Sequence, residues 1–93
     1  MTRPRQSILY FAELMEHKLR ENDHKGGWED CGFRYLADRL RGETTEMLEQ
    51  LFHHKKRNAL KIRRECADIA NFAMMIAENI KTEPDYKFHR EPQ

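Results

Sequence analysis

Ninety-three residues, 39% of them hydrophobic and 35% charged, fit one small domain. A domain near this size buries roughly 60–65% of the surface its unfolded chain exposes, which excludes a deep core and makes a partner chain the expected remedy. Seventeen Lys and Arg balance sixteen Asp and Glu, which excludes the strong basic excess usual in nucleic-acid binders, so no specific nucleic acid is expected as a partner. The first helix is expected from about Arg5 to Asn22, with Ile8, Phe11, Ala12, Met15 and Leu19 forming an amphipathic stripe. His24-Lys25-Gly26-Gly27-Trp28 ends it, because paired glycines supply backbone freedom that stops a helix. A second helix is expected from about Phe33 to Phe52, on the stripe Leu36, Leu40, Met47 and Leu51, widened by Leu48 and Phe52. Gly42 lies inside it at a cost of roughly 1 kcal/mol relative to Ala, and either kinks the helix or permits the close approach of a neighbour.

His53 to Arg57 form the connection, and Asn58 is a good N-cap for a third helix from about Ala59 to Lys81. Its core face reads as Ile62, Cys66, Ile69, Ala73, Ile76 and Ile80, and Thr82-Glu83-Pro84 ends it. Residues 1–82 then make one helical domain and 83–93 a loosely ordered tail. Nothing alternates with the period of a strand. The expected fold is all-α: a three-helix protomer in an antiparallel bundle completed by oligomerisation, as a dimer or tetramer.

Other features narrow the setting. No run approaches the roughly 18 apolar residues of a membrane span, and Met1-Thr2-Arg3-Pro4-Arg5 lacks the apolar stretch of a signal peptide. Cys31 and Cys66 form neither a Cys-x-x-Cys pair nor a zinc spacing, and Cys66 reads as a small buried residue. A soluble, cytoplasmic chain with no membrane partner is the expectation. The basic run from His53 to Arg57, continued by Lys61, Arg63 and Arg64, reads as a solvated loop and helix start. It also raises the local potential for an anionic small molecule.

The acids are the informative feature. Glu43 and Glu46 form an E-x-x-E pair on helix two, and Glu65 and Asp68 an E-x-x-D pair on helix three. Residues three apart share a helix face, so each pair can reach one point. Glu43 also lies in line with Leu36, Leu40, Met47 and Leu51, which turns it toward the bundle interior or its edge. Eighteen residues separate Glu46 from Glu65, enough to finish one helix, turn and return antiparallel. Four converging carboxylates repel too strongly to stay ionised when partly buried, and a divalent cation removes the conflict. An all-oxygen set favours Mg²⁺, or Mn²⁺, over Zn²⁺. Mg²⁺ keeps waters and bridges carboxylates to substrate phosphates, which points to phosphate chemistry. Chance also produces such pairs in a chain with sixteen acids, and ion pairing with Arg39 or Arg64 accounts for them equally simply. Di-iron carboxylate bundles need Glu-x-x-His on two helices, and here Glu21-x-x-His24 stands alone at a helix end.

With GETTEMLEQL followed by RRECADIANFAMMI, and HKGGW before them, the chain resembles the MazG-like family of all-α nucleoside triphosphate pyrophosphohydrolases. The resemblance spans roughly residues 17–80. It implies Glu43, Glu46, Glu65 and Asp68 as metal ligands and catalytic acids. The reaction it implies is Mg²⁺-dependent hydrolysis of a nucleoside or deoxynucleoside triphosphate to the monophosphate and pyrophosphate, in nucleotide pool control or house-cleaning. In the implied mechanism bound metal neutralises phosphate charge and lowers the pKa of an attacking water, whose proton is expected to pass to a carboxylate not fully engaged with metal, with Glu46 the candidate. Substrate contacts are expected from Lys25, Trp28, Asn71 and Phe72. Trp28 reads either as a platform for the base or as a packing residue after the Gly-Gly turn. Asn71 asks for a polar partner within an apolar helix, and Phe72 is either core or a wall of the base pocket. Met74, Met75 and the helix-one stripe read as oligomer core, and Glu49 as a neighbour of the ligands or an exposed acid. Gly42 directly before the first acid departs from the family pattern, as does the lack of a distinct fourth helix, so a complete pocket is expected to need a second subunit. The competing expectation is a catalytically idle helical module that binds nucleotide or another protein.

Overall fold

The computed structural model describes residues 2–53 and 55–80. Among them are three α-helices, α1 (Gln6–Glu21), α2 (Phe33–Phe52) and α3 (Ala59–Ile80), with a 3-10 turn at Asp23–Lys25 and no strand. The expected tail, 83–93, lies outside the described residues, as does the expected end of α3 at Lys81.

Local chemistry sets the boundaries. Lys18 and Arg20 sit in the last turn of α1, where cations oppose the negative end of the helix dipole. The Asn22 side chain donates to the Lys18 carbonyl at 3.3 Å and satisfies one of the carbonyls the helix end leaves free. Gly26 takes φ +91°, a left-handed conformation that redirects the chain after the 3-10 turn. At the start of α3 the Asn58 carboxamide oxygen accepts from the Lys61 N–H at 3.0 Å, the expected cap. Arg57 Nε donates to the Leu51 carbonyl at 2.9 Å and closes the end of α2.

Helix α3 is central. Both α1 and α2 pack on it, but they do not pack on each other, so a cleft opens between them with α3 as its floor. Long-range hydrogen bonds help hold α1 in place, beside an ion pair between Lys18 and Asp68. Arg64 Nη2 donates to both Glu21 oxygens at 2.8 and 2.9 Å, and Asn71 Nδ2 donates to the Met15 carbonyl at 3.0 Å.

The core is slight. Among the described residues the buried apolar side chains are Leu36 and Ala67, and α1 buries none fully. The expected α2 stripe faces inward, with Leu36 buried and Leu40, Met47 and Leu51 half-buried, while Leu48 and Phe52 are exposed. The expected face of α3 needs correction. Its deepest positions are Glu65, Ala67 and Asn71, Cys66 is only half-buried, and Ala73 and Ile80 are exposed. The reason is that α3 is covered from two sides by helices that do not meet, so the covered arc is not the most apolar one. Helix α2 runs without a break through Gly42, and a Cβ there would meet nothing within 4 Å among the described residues, so no close approach by them explains this glycine.

Candidate functional site

Helix α2 supplies Glu43 and Glu46, and α3 supplies Glu65 and Asp68. All four line one open cavity of about 410 Å³, together with Lys18 of α1 and Arg64 of α3. The three-residue spacing gives each helix two acids on one face, and the packing of α2 on α3 turns both faces to the same space. Burial is uneven. Glu65 is 7% exposed and Glu43 9%, whereas Asp68 is half-buried and Glu46 lies exposed on the rim.

This crowding shows in the acid–base properties. Burial, then the charges of Glu46 and Asp68, push the Glu43 carboxyl above its ordinary range, and Arg39 offsets only part of this. Burial likewise raises Asp68, against the pull of Lys18 and Arg64. Each acid turns to a cation within reach: Glu43 accepts from Arg39 at 3.2 Å, and Asp68 lies 3.6 Å from Lys18 Nζ. Among the described residues no three Asp, Glu, His or Cys side chains draw together as a closed ligand set.

The residues fit a hard divalent cation on two grounds. Glu65 Oε1 is buried with no hydrogen-bond partner among the described residues, a state that costs stability unless something else occupies the acceptor. The donor set is all carboxylate oxygen, the chemistry that Mg²⁺ and Mn²⁺ prefer.

A second, more enclosed cleft of about 250 Å³ shares Lys18, Glu43 and Asp68 with the acid cavity. Each volume is in or near the range of small-molecule sites. Lys25, Trp28, Asn71 and Phe72, the four expected substrate contacts, all line this cleft. Trp28 is half-buried. Its carbonyl and that of Cys31 accept from Asn79 Nδ2 at 3.0 and 3.3 Å, which ties the loop before α2 to the far end of α3. Arg39 stacks over the Phe72 ring, 5.4 Å from its centroid. Asn71 is 3% exposed; its amide nitrogen binds α1, and its Oδ1 is buried without a partner.

A comparison with protein-family models, with curated proteins and with solved structures finds no match to the chain.

Several lining residues escaped the sequence reading. Met75 and Leu19, expected in an oligomer core, line the cleft. Met75 follows Asp68 by seven residues and Asn71 by four, which sets all three on one side of α3. Tyr35 and Lys18 are not among the expected contacts, and Arg39 and Arg64 are expected as ion-pair partners, Arg64 also as part of the basic run. Lys18 carried a usable signal, since it falls between Met15 and Leu19 as a charge beside an apolar stripe. Glu49 is exposed, and His54 in the basic run lies outside the described residues.

Proposed function

We propose that this chain is a MazG-like nucleoside triphosphate pyrophosphohydrolase of the cytoplasm, cleaving its substrate to the monophosphate and pyrophosphate. The observation that carries the proposal is the shared wall. Four acids on α2 and α3 line one cavity, and two of them, Glu43 and Asp68, also line a neighbouring cleft walled by Trp28, Tyr35 and Phe72. A molecule with a flat aromatic base at one end and a polyphosphate at the other matches that sequence of surfaces.

Each group then has a role. Glu43, Glu46, Glu65 and Asp68 hold Mg²⁺ (or Mn²⁺), with α2 and α3 antiparallel so that the pairs face each other. The cation supplies charge neutralisation at the phosphates and a lowered pKa for water. Trp28 and Phe72 sandwich the base, and Asn71 Oδ1 accepts from a donor on the nucleoside. Lys25, exposed at the mouth of the cleft, attracts the anionic substrate. Glu46, exposed on the rim, accepts the proton of the attacking water. A second copy of the chain covers the apolar faces that the protomer leaves open.

The test is a screen of common and damaged NTPs and dNTPs with Mg²⁺, reading pyrophosphate against phosphate. Release of pyrophosphate that stops on chelation is the expected result. Nucleotide binding without turnover would instead establish an idle binding module.

A further inference from the structure

Lys18 occupies a singular place. It reaches from α1 into both cavities, its side chain is only 13% exposed, and its ammonium lies 3.6 Å from Asp68 Oδ2 and 3.2 Å from Glu21 Oε1. One of these partners belongs to the acid quartet and the other lies outside it. Glu21 is also held by Arg64, through both of its oxygens.

We propose that Lys18 is a built-in counter-ion that yields Asp68 to an incoming divalent cation, keeps its hydrogen bond to Glu21, and then holds substrate phosphate. This rests on the metal-dependent reading given above. A lysine ammonium is a point charge on a flexible four-carbon stem, with no geometric demand of the kind a guanidinium imposes, so exchanging a seat shared by two carboxylates for Glu21 alone needs only a change of rotamer. With Asp68 compensated internally, the quartet tolerates close approach while no metal is bound. Cation binding and Lys18 then compete for the same carboxylate. After the exchange Lys18 stands on the edge common to the two cavities, where a polyphosphate leaves the base cleft for the acids. Ammonium groups serve as phosphate contacts in this manner.

The competition predicts effects of opposite sign. Lys18→Met keeps the stem, removes the charge, and is expected to tighten Mn²⁺ binding without nucleotide by on the order of five- to tenfold, the scale of a partly screened ion pair. The same change raises KM for the nucleotide more than it lowers kcat, and Lys18→Arg restores much of KM. Glu21→Gln removes the alternative seat, holds Lys18 on Asp68, and weakens Mn²⁺ binding. Mn²⁺ affinity is read on the purified full chain by titration calorimetry and by the electron paramagnetic resonance signal of free Mn²⁺, with circular dichroism confirming the fold. Unchanged or weaker binding in Lys18→Met, or unchanged binding in Glu21→Gln when Lys18→Met does not fold, overturns the proposal and leaves the functional reading intact. A wild-type chain that binds no Mn²⁺, with or without nucleotide, overturns both.

Discussion

Glu43 sits almost wholly out of solvent, one helical turn after Arg39 and within the field of three other acids. A carboxyl raised above its ordinary range is one that the folded chain keeps protonated where the unfolded chain has already lost the proton. Stability therefore falls as pH rises from the ordinary carboxylate range, about 4, through the raised values of Glu43 and Asp68. Glu21, held below its ordinary range by Arg64 and Lys18, acts in the opposite sense and loses its contribution as pH falls through its depressed value. The metal-free protein is thus expected to melt higher at mildly acidic pH than at neutral pH. Mg²⁺ should cancel the difference by supplying at neutral pH the positive charge that protons supply in acid. Melting curves in chelator and in Mg²⁺ at the two pH values decide this, and a metal-free protein that melts higher at neutral pH would contradict it. Glu43→Gln makes the same point by mutation. It is expected to raise the metal-free melting temperature by a few degrees while lowering turnover on the order of 10²–10³-fold, the scale of losing one electrostatic contact to a transition state. Asp68→Asn should likewise abolish turnover in a folded chain. Failure of both variants to fold would make these acids structural.

Gly42 gives α2 its sharpest test. An interior helical glycine costs about 1 kcal/mol relative to Ala, and a Cβ at this exposed site meets nothing within 4 Å. Gly42→Ala is therefore expected to stabilise the protein by about 1 kcal/mol in denaturant unfolding. A loss of stability would place another chain's backbone against this position. The helix ends were legible for similarly local reasons. Asn58 caps through its own side chain, the Gly26-Gly27 pair turns the chain, and α2 begins and ends at the residues its apolar spacing indicates. That each pair of acids shares one side of its helix was legible because an i,i+3 spacing fixes their direction once the helix is known. What the sequence did not reveal was long-range. The covered arc of α3 depends on where α1 and α2 land, and the anchoring of Trp28 depends on Asn79, 51 residues away. Lys18 enters the site only because α1 lies alongside Asp68, which no periodicity within α1 encodes.

Taken whole, the protomer has little to hold it together. Two buried apolar side chains among the described residues, Leu36 and Ala67, with the half-buried stripes beside them, make a slight core to set against an ordering cost of roughly 1–2 kcal/mol per residue. Apolar surface lies open on every helix: Ile8 and Tyr10 on α1, Phe52 on α2, and Leu60 and Ile80 on α3, with Phe52 67% exposed. Cys66, Ala73 and Ile80 fall seven residues apart along α3, a line that stays on one side of a helix and is mostly uncovered here. On the proposed reading, a second copy of the chain covers this line. Ala73→Arg tests this cleanly, because Ala73 is exposed in the protomer and touches neither cavity's lining. In an isolated protomer the substitution should shift stability by no more than about 0.5 kcal/mol. In an oligomer sealed along that line it should lower the mass measured by light scattering, and the wild-type melting temperature should rise with protein concentration. Turnover should fall in step with mass if a neighbouring chain completes the cleft. A wild-type chain that remains monomeric, and melts cooperatively at a temperature independent of concentration, would show that the protomer's half-buried contacts suffice alone.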